Sequence, residues 1–261
     1  MSRLAAILAT KAAEVEFRKR VAPSAVVEDA ARRMSEPIRD FAAALRAART
    51  TPAAIAEIKR ASPSKGLLRA QVDVAALAKT YTDAGAAALS ILTDHTYFGG
   101  DSFDLTTARA NTPLPVLRKD FIIDEYQVYE SRLIGADAIL LIVAALAKDR
   151  LQALHRLAAD LGLAVVVEVH SERELEVALK VGPAIVGVNA RNLANFSVDV
   201  GVVERILPRV PATLIRVGES GVRARDDVTR MAAAGAEAVL IGEKLMTAKD
   251  PGAELRALIG S

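Results

Sequence analysis

Apolar residues in this chain come in short runs, hydrophobic on both faces, with amphipathic stretches between them. The runs lie at residues 53–59, 87–92, 115–119, 137–142, 163–168, 184–189, 212–218 and 237–241. They do not alternate polar with apolar, as a strand with one wet face would. They read as parallel strands covered on both sides. Between them, Val74 to Ala84, Glu125 to Ile134 and Arg150 to Leu161 space their apolar positions as amphipathic helices do.

A small motif also recurs: a helical stretch, a glycine, then an apolar strand. It occurs at Gly85, Gly135, Gly162, Gly182 and Gly235, with gaps of 50, 27, 20 and 53 residues. If each long gap hides one unit without the glycine, Gly85 to Gly235 holds six units of 25 residues. Gly85, Gly135, Gly162 and Gly235 fall where helix C-caps are expected. Eight strand–helix units predict an α/β fold, a (β/α)8 TIM barrel, over residues 53–261. An open doubly wound sheet is the alternative. Residues 1–48 do not fit the repeat. Segments 2–19 and 24–48 look helical, with a break at Pro23, and read as an N-terminal helical extension. No Gly/Ser-rich linker separates the two parts, so one domain is expected over 1–261.

Composition narrows the function. The chain is 52% hydrophobic, too apolar for a disordered protein. It has no cysteine, which removes disulfides, thiolate metal sites and cysteine nucleophiles. A net charge of +2 gives no footprint for nucleic acid or an anionic membrane. The longest apolar run, Ala138 to Ala147, is too short to span a bilayer, and Leu4 to Ala9 lacks the length of a signal peptide. A soluble cytoplasmic protein is expected. His95, His155 and His170 show no metal spacing, and no metal or cofactor is called for. His155 is expected at the surface. His170 is expected to cap a helix or face solvent, with bracing a site as the alternative. Arg18-Lys19-Arg20 reads as a solvated helix end.

In a barrel of this kind the chemistry sits at the C-terminal ends of the strands. Polar residues interrupt the apolar runs there. The first run ends Glu57-Ile58-Lys59, the third Arg118-Lys119-Asp120-Phe121, and the fifth in Glu168. The sixth ends Asn189-Ala190-Arg191, the seventh Glu219-Ser220-Gly221, and the eighth Gly242-Glu243. Side chains alternate faces in a strand, so Glu57 and Lys59 point the same way, as do Asn189 and Arg191. Three glutamates and two lysines converging on a low-dielectric mouth would perturb one another's protonation, which suits acid–base work. Any one of these is as well read as an ordinary salt bridge; six strand ends together are not. Ser220-Gly221, and Gly242-Glu243 opening the short helical stretch GEKLM, look built for a phosphate.

Several stretches resemble the signature of the indole-3-glycerol phosphate synthase family: AEIKRASPSKG (Ala56 to Gly66), the run from Pro115 to Leu146, VVEVHSERELEVAL, VGVNARNL and GESGV. The resemblance covers nearly the whole chain, the extension included. It implies a carboxy-lyase of tryptophan biosynthesis. Such an enzyme converts 1-(2-carboxyphenylamino)-1-deoxyribulose 5-phosphate to indole-3-glycerol phosphate, carbon dioxide and water. It further implies Lys119 as the general acid on the ribulose carbonyl oxygen and Glu168 as the acid–base group of later proton transfers. Lys59 matches a second catalytic lysine, and Glu57, Asn189 and Glu219 match groups that orient the lysines and sugar hydroxyls. Arg191, Ser220, Gly221, Gly242 and the amide of Glu243 match polar and phosphate-binding positions. Ser62 and Pro63 match the substrate-contacting part of the first loop, and Phe98, Phe121, Leu193 and Leu240 the apolar slot for the anthranilate ring. The implied partner is a small phosphorylated substrate. A monomer is the expected state, with an oligomer left open.

Two positions depart from the family pattern, where many relatives have serine: Glu243 and Gly100. A carboxylate beside a phosphate repels it unless the side chain turns away. The long loop Arg60 to Asp73 is expected to act as a mobile lid. Three other readings stand beside the resemblance. A phosphoribosylanthranilate isomerase would need a cysteine base, which the chain lacks. A non-catalytic binding barrel would not need Lys119 and Glu168. A Schiff-base aldolase could use Lys59 or Lys119.

Overall fold

The computed structural model describes residues 2–260. Three helices come first: α1 (Arg3–Val21), α2 (Ser24–Arg33) and α3 (Phe41–Arg46). Eight parallel strands follow: β1 (Ala53–Ile58), β2 (Ala88–Leu92), β3 (Val116–Lys119), β4 (Ala138–Ile142), β5 (Ala164–Val169), β6 (Ile185–Asn189), β7 (Ile215–Glu219) and β8 (Ala238–Ile241). Each pairs with its chain neighbours, and β8 pairs with β1, so the sheet closes. The expected barrel is present and the open sheet is not.

Strand positions agree with the hydrophobic runs except at β7, which begins three residues late. There Leu214 N–H bonds back to the carbonyl of Pro211, so the chain is still turning. The helix expected over 24–48 is two helices. Pro37 lacks an N–H and disfavours the helical region before it, and residues 34–40 run irregularly between α2 and α3. Arg39 serves that segment, donating to the carbonyls of Thr112, Leu114 and Arg109. The four glycines expected as C-caps sit one residue further on, just after the C-caps Ala84, Ile134, Leu161 and Ala234, with φ between 78° and 98°, a region that side chains resist.

Strand alternation sorts the buried residues into two clusters. One lies between sheet and helices and holds Ala54, Leu89, Ile139, Val167 and Val186. The other fills the barrel and holds Ile55, Leu117, Leu140, Val166, Ile185, Val217 and Leu240. Ile7, Phe41 and Leu45 of the extension belong to the inner cluster. Two residues beyond Ile55, Leu117, Val166 and Val217, on the same inward face, stand Glu57, Lys119, Glu168 and Glu219. No helix among the described residues is long and apolar enough to cross a membrane.

Candidate active site

The C-terminal mouth of the barrel is a cavity of about 600 Å³. Fifteen of the predicted residues line it: Glu57, Lys59, Phe98, Lys119, Phe121, Glu168, Asn189, Arg191, Leu193, Glu219, Ser220, Gly221, Leu240, Gly242 and Glu243. Ser62 and Pro63 do not. Ser62 ends the two-residue strand Ala61–Ser62, and Pro63 opens the turn to its partner strand Gly66–Leu67. Ser62 is buried there, its Oγ accepting the N–H of Lys65 at 3.3 Å. The hairpin instead carries Ser64 and Lys65 to the cavity wall.

At the floor, Lys119 Nζ lies 3.1 Å from Oε2 of Glu168 and 3.4 Å from Oε2 of Glu219. Lys59 Nζ donates to Oε1 of Glu57 at 2.6 Å. Burial alone would strip the Lys119 proton; the charges of Glu168, Glu219 and Glu57 outweigh it and hold the ammonium well above the usual lysine range. Burial likewise favours a neutral Glu168, but Lys119 and His170 prevail and keep it ionised. Glu219 goes the other way. Burial raises its carboxyl, Lys119 only partly opposes this, and the negative Glu168 adds to it, so the group titrates at about 8. Neither of its oxygens accepts a hydrogen bond among the described residues. Environment thus drives two neighbouring carboxyls apart, one toward base and one toward acid.

The walls divide the cavity. Phe98 and Phe121 stand tilted with ring centroids 6.2 Å apart, beside Leu92, Leu140, Ile142, Leu193 and Leu240. Ser220, Gly221, Gly242 and Glu243 also line the mouth. Ser220 and Gly221 hold φ of 64° and 87°, and the positive φ at a serine is a strained conformation of the kind that collects at functional sites. A Cβ on Gly242 would strike Oε1 of Glu57 and come within 2.9 Å of Lys59 Nζ, so a side chain there would push that pair out of place. The Glu243 carboxylate turns toward Arg191 (3.4 Å) and Lys65 (4.0 Å). Asn189 Oδ1 accepts the backbone N–H of Arg191 at 2.9 Å.

Sequence reasoning missed two features. Gly187 faces inward on β6, and a Cβ there would collide with Oε1 of Glu219; the signal was a glycine inside a β-branched strand. His170 is half-buried against Glu168, Nε2 to Oε1 3.2 Å, so it braces the site rather than facing solvent. His155, expected at the surface, is half-buried on the helix Lys148–Asp160, and burial depresses its imidazolium. Arg18 and Lys19 are not merely solvated: they pair with Glu130 and Asp124 at 2.9 Å each. Gly100 packs onto the carbonyls of Leu92 and Asp94, which leaves no room for the serine of other relatives.

Comparison with known proteins agrees with this geometry. The family described as indole-3-glycerol phosphate synthase matches residues 4–258. The synthase of Chromobacterium violaceum is 48% identical over 97% of this chain and 96% of its own length. That of a Polaromonas species is 49% identical over 97% of both. Among solved structures, a 3-hexulose-6-phosphate synthase overlays with a TM-score of 0.64 at 16% identity, covering 80% of this chain and 98% of that one. A mandelate oxidase overlays at 0.61 and 20% identity, covering 92% and 84%. At such low identity these two speak to the barrel fold alone. Matched along nearly its full length, the chain belongs to the indole-3-glycerol phosphate synthase family, the carboxy-lyases of tryptophan biosynthesis.

Proposed function

We propose that the cavity carries out the family's ring closure, decarboxylation and dehydration with Lys119 as general acid and Glu168 as the acid–base group. The observation that carries this is one buried ammonium shared by two carboxyls of opposite protonation, at the floor of a cavity lined by aromatic and aliphatic side chains and by Ser220, Gly221 and Gly242. Lys119 protonates the ribulose carbonyl oxygen as the ring closes. Glu168 then moves the later protons, within reach of the same site. Lys59, held by Glu57, is the second catalytic lysine and contacts the substrate. Glu57, Asn189 and Glu219 orient the lysines and the sugar hydroxyls.

The anthranilate ring goes to Phe98, Phe121, Leu193 and Leu240. The phosphate goes to Ser220, Gly221, Gly242 and the amide of Glu243, with Arg191 beside them. Ser62 and Pro63 act through the hairpin that bears Ser64 and Lys65, and this first loop serves as the lid. Charge conservation sets a further demand. The substrate carboxylate leaves as neutral carbon dioxide and the carbonyl oxygen as water, so each turnover takes up one proton, first supplied by Lys119.

The extension and barrel make one domain, supported by the ion pairs of Lys11 in α1 with Asp94 and Asp120. The residues of one chain suffice to enclose the cavity, and we take the monomer as the working unit. A cytoplasmic place suits a phosphorylated substrate, which does not cross membranes unaided. The test is a fluorescence assay for indole formation on the wild type and Lys119→Ala. Turnover that collapses in the variant while substrate binding persists supports the assignment. A folded wild type without turnover overturns it.

A further inference from the structure

Glu168 is gripped on two sides. Oε2 faces Lys119, and Oε1 faces Nε2 of His170 at 3.2 Å. The other ring nitrogen of His170, Nδ1, lies 3.1 Å from Oε2 of Glu174. Glu174 is itself pinned. Its Oε2 also accepts the backbone N–H of His170 at 2.9 Å, and its own N–H donates to Oγ of Ser171 at 3.2 Å, the N-cap of the helix Glu172–Leu179.

Nδ1 hydrogen-bonds Glu174, while Nε2 meets Glu168 as a close charge contact without hydrogen-bond alignment, and two carboxylates about the ring favour the imidazolium. Burial opposes that charge, but Glu168 and Glu174 overcome it and hold the ring protonated up to about 10. His170 does not line the cavity. Whatever it does for the reaction, it does through Glu168.

We propose that His170, aimed by Glu174, is a positioning residue for Glu168: its positive charge keeps that carboxylate ionised and its second oxygen on Lys119. Glu168 then enters each cycle as a base. Once it has taken a proton, the neighbouring cation makes it a strong acid, ready to give the proton up again. The inference rests on the acid–base role proposed above for Glu168.

The charged groups involved are few. Glu168 faces His170 on its own segment, Lys119 from β3 and Glu219 from β7, while its pairing neighbours Ile142 on β4 and Gly187 on β6 carry no charge. His170 faces Glu168 and Glu174. Removing the imidazolium takes a cation from beside a carboxylate, so Glu168 binds its proton more tightly and stays protonated to higher pH.

The test is steady-state indole formation across pH by the wild type, His170→Ala, Glu174→Gln and Glu168→Gln. For His170→Ala, kcat near neutral pH falls about 10- to 100-fold with KM within about threefold. Its acid limb moves up by about one pH unit or more. Glu174→Gln moves both in the same direction by less. That variant sits on the helix and keeps the test alive if His170→Ala fails to fold. A kcat within twofold of wild type in both folded variants overturns the proposal. So does a fall in kcat with an unmoved acid limb, which would mean that the ring only props the loop. Glu168→Gln separates the two layers. If it turns over normally, the acid–base reading itself fails; if it is inactive while His170→Ala behaves as wild type, only the role of His170 fails.

Discussion

Strand β3 ends in Arg118-Lys119 with Asp120 next, and these neighbours feed two separate buried charge networks. Outside the barrel, Arg118 is fully buried and makes five hydrogen bonds, to Thr93, Gln127, Ser131, Asp120 and Glu130. Asp120 accepts from Thr93 at 2.7 Å and from the N–H of Phe121 at 2.8 Å, and pairs with Lys11 of α1 at 3.1 Å. Lys11 also holds Asp94 and Glu14. Inside the barrel, Lys119 is shared between Glu168 and Glu219, and Glu219 accepts no hydrogen bond among the described residues. Both networks hold buried charge. The outer one saturates its central groups and so works as scaffold. The inner one leaves a carboxyl unsatisfied beside a cavity, where a substrate can complete it.

Breaking each network separates the two roles. The largest effect is expected at Lys119→Ala, with kcat down about 10³-fold and an unfolding midpoint close to wild type by thermal scan. Arg118→Met reverses the pattern. Removing the buried guanidinium leaves Asp120 with Lys11 and Glu130 with Arg18 as their remaining cations and empties five hydrogen bonds, at about 3–5 kcal/mol in urea unfolding. Its activity loss should be recovered in part at low temperature, where the fold is populated.

The pH dependence of stability sharpens the contrast, because Asp120 in the outer network and Glu219 in the inner one shift in opposite directions. Asp120 is drawn down to about 2, chiefly because Arg118 and Lys11 overcome its burial. Its contribution, about 2 kcal/mol, is present above the ordinary carboxyl value and lost as pH falls toward that figure; Asp120→Asn should flatten that limb. Glu219 is raised, so its contribution is present below the ordinary value and lost as pH rises through about 8. Glu219→Gln should therefore be more stable than the wild type in alkaline chemical denaturation. The smallest effect is at Glu243→Ser. The carboxylate is 36% exposed, and its removal should lower KM for the phosphorylated substrate by no more than about fivefold. A raised KM would mean that its pairing with Arg191 and Lys65 aids binding.

Much of the site was legible in sequence because strand alternation is a rule of the backbone. Glu57 and Lys59, or Asn189 and Arg191, had to share a face once the strands were placed. Ser64, Lys65 and His170 were not legible in the same way. Ser64 and Lys65 reach the cavity only because Ala61–Ser62 and Gly66–Leu67 pair as a hairpin. His170 depends on where Glu174, four residues along the next helix, sends its carboxylate. The break between α2 and α3 hid behind a plausible apolar period that Pro37 interrupts.

By itself the sequence determined the eight strands, the barrel and the family, since hydrophobic period, turn glycines and strand-end charges are local properties of the chain. Only the tertiary structure decided which buried charges are saturated and which are left wanting. That depends on distances of about 3 Å between residues as far apart as Lys11 and Asp120, or Lys119 and Glu219. Protonation follows those distances and the local dielectric, so the same residue type is held ionised at Glu168 and keeps its proton up to about 8 at Glu219.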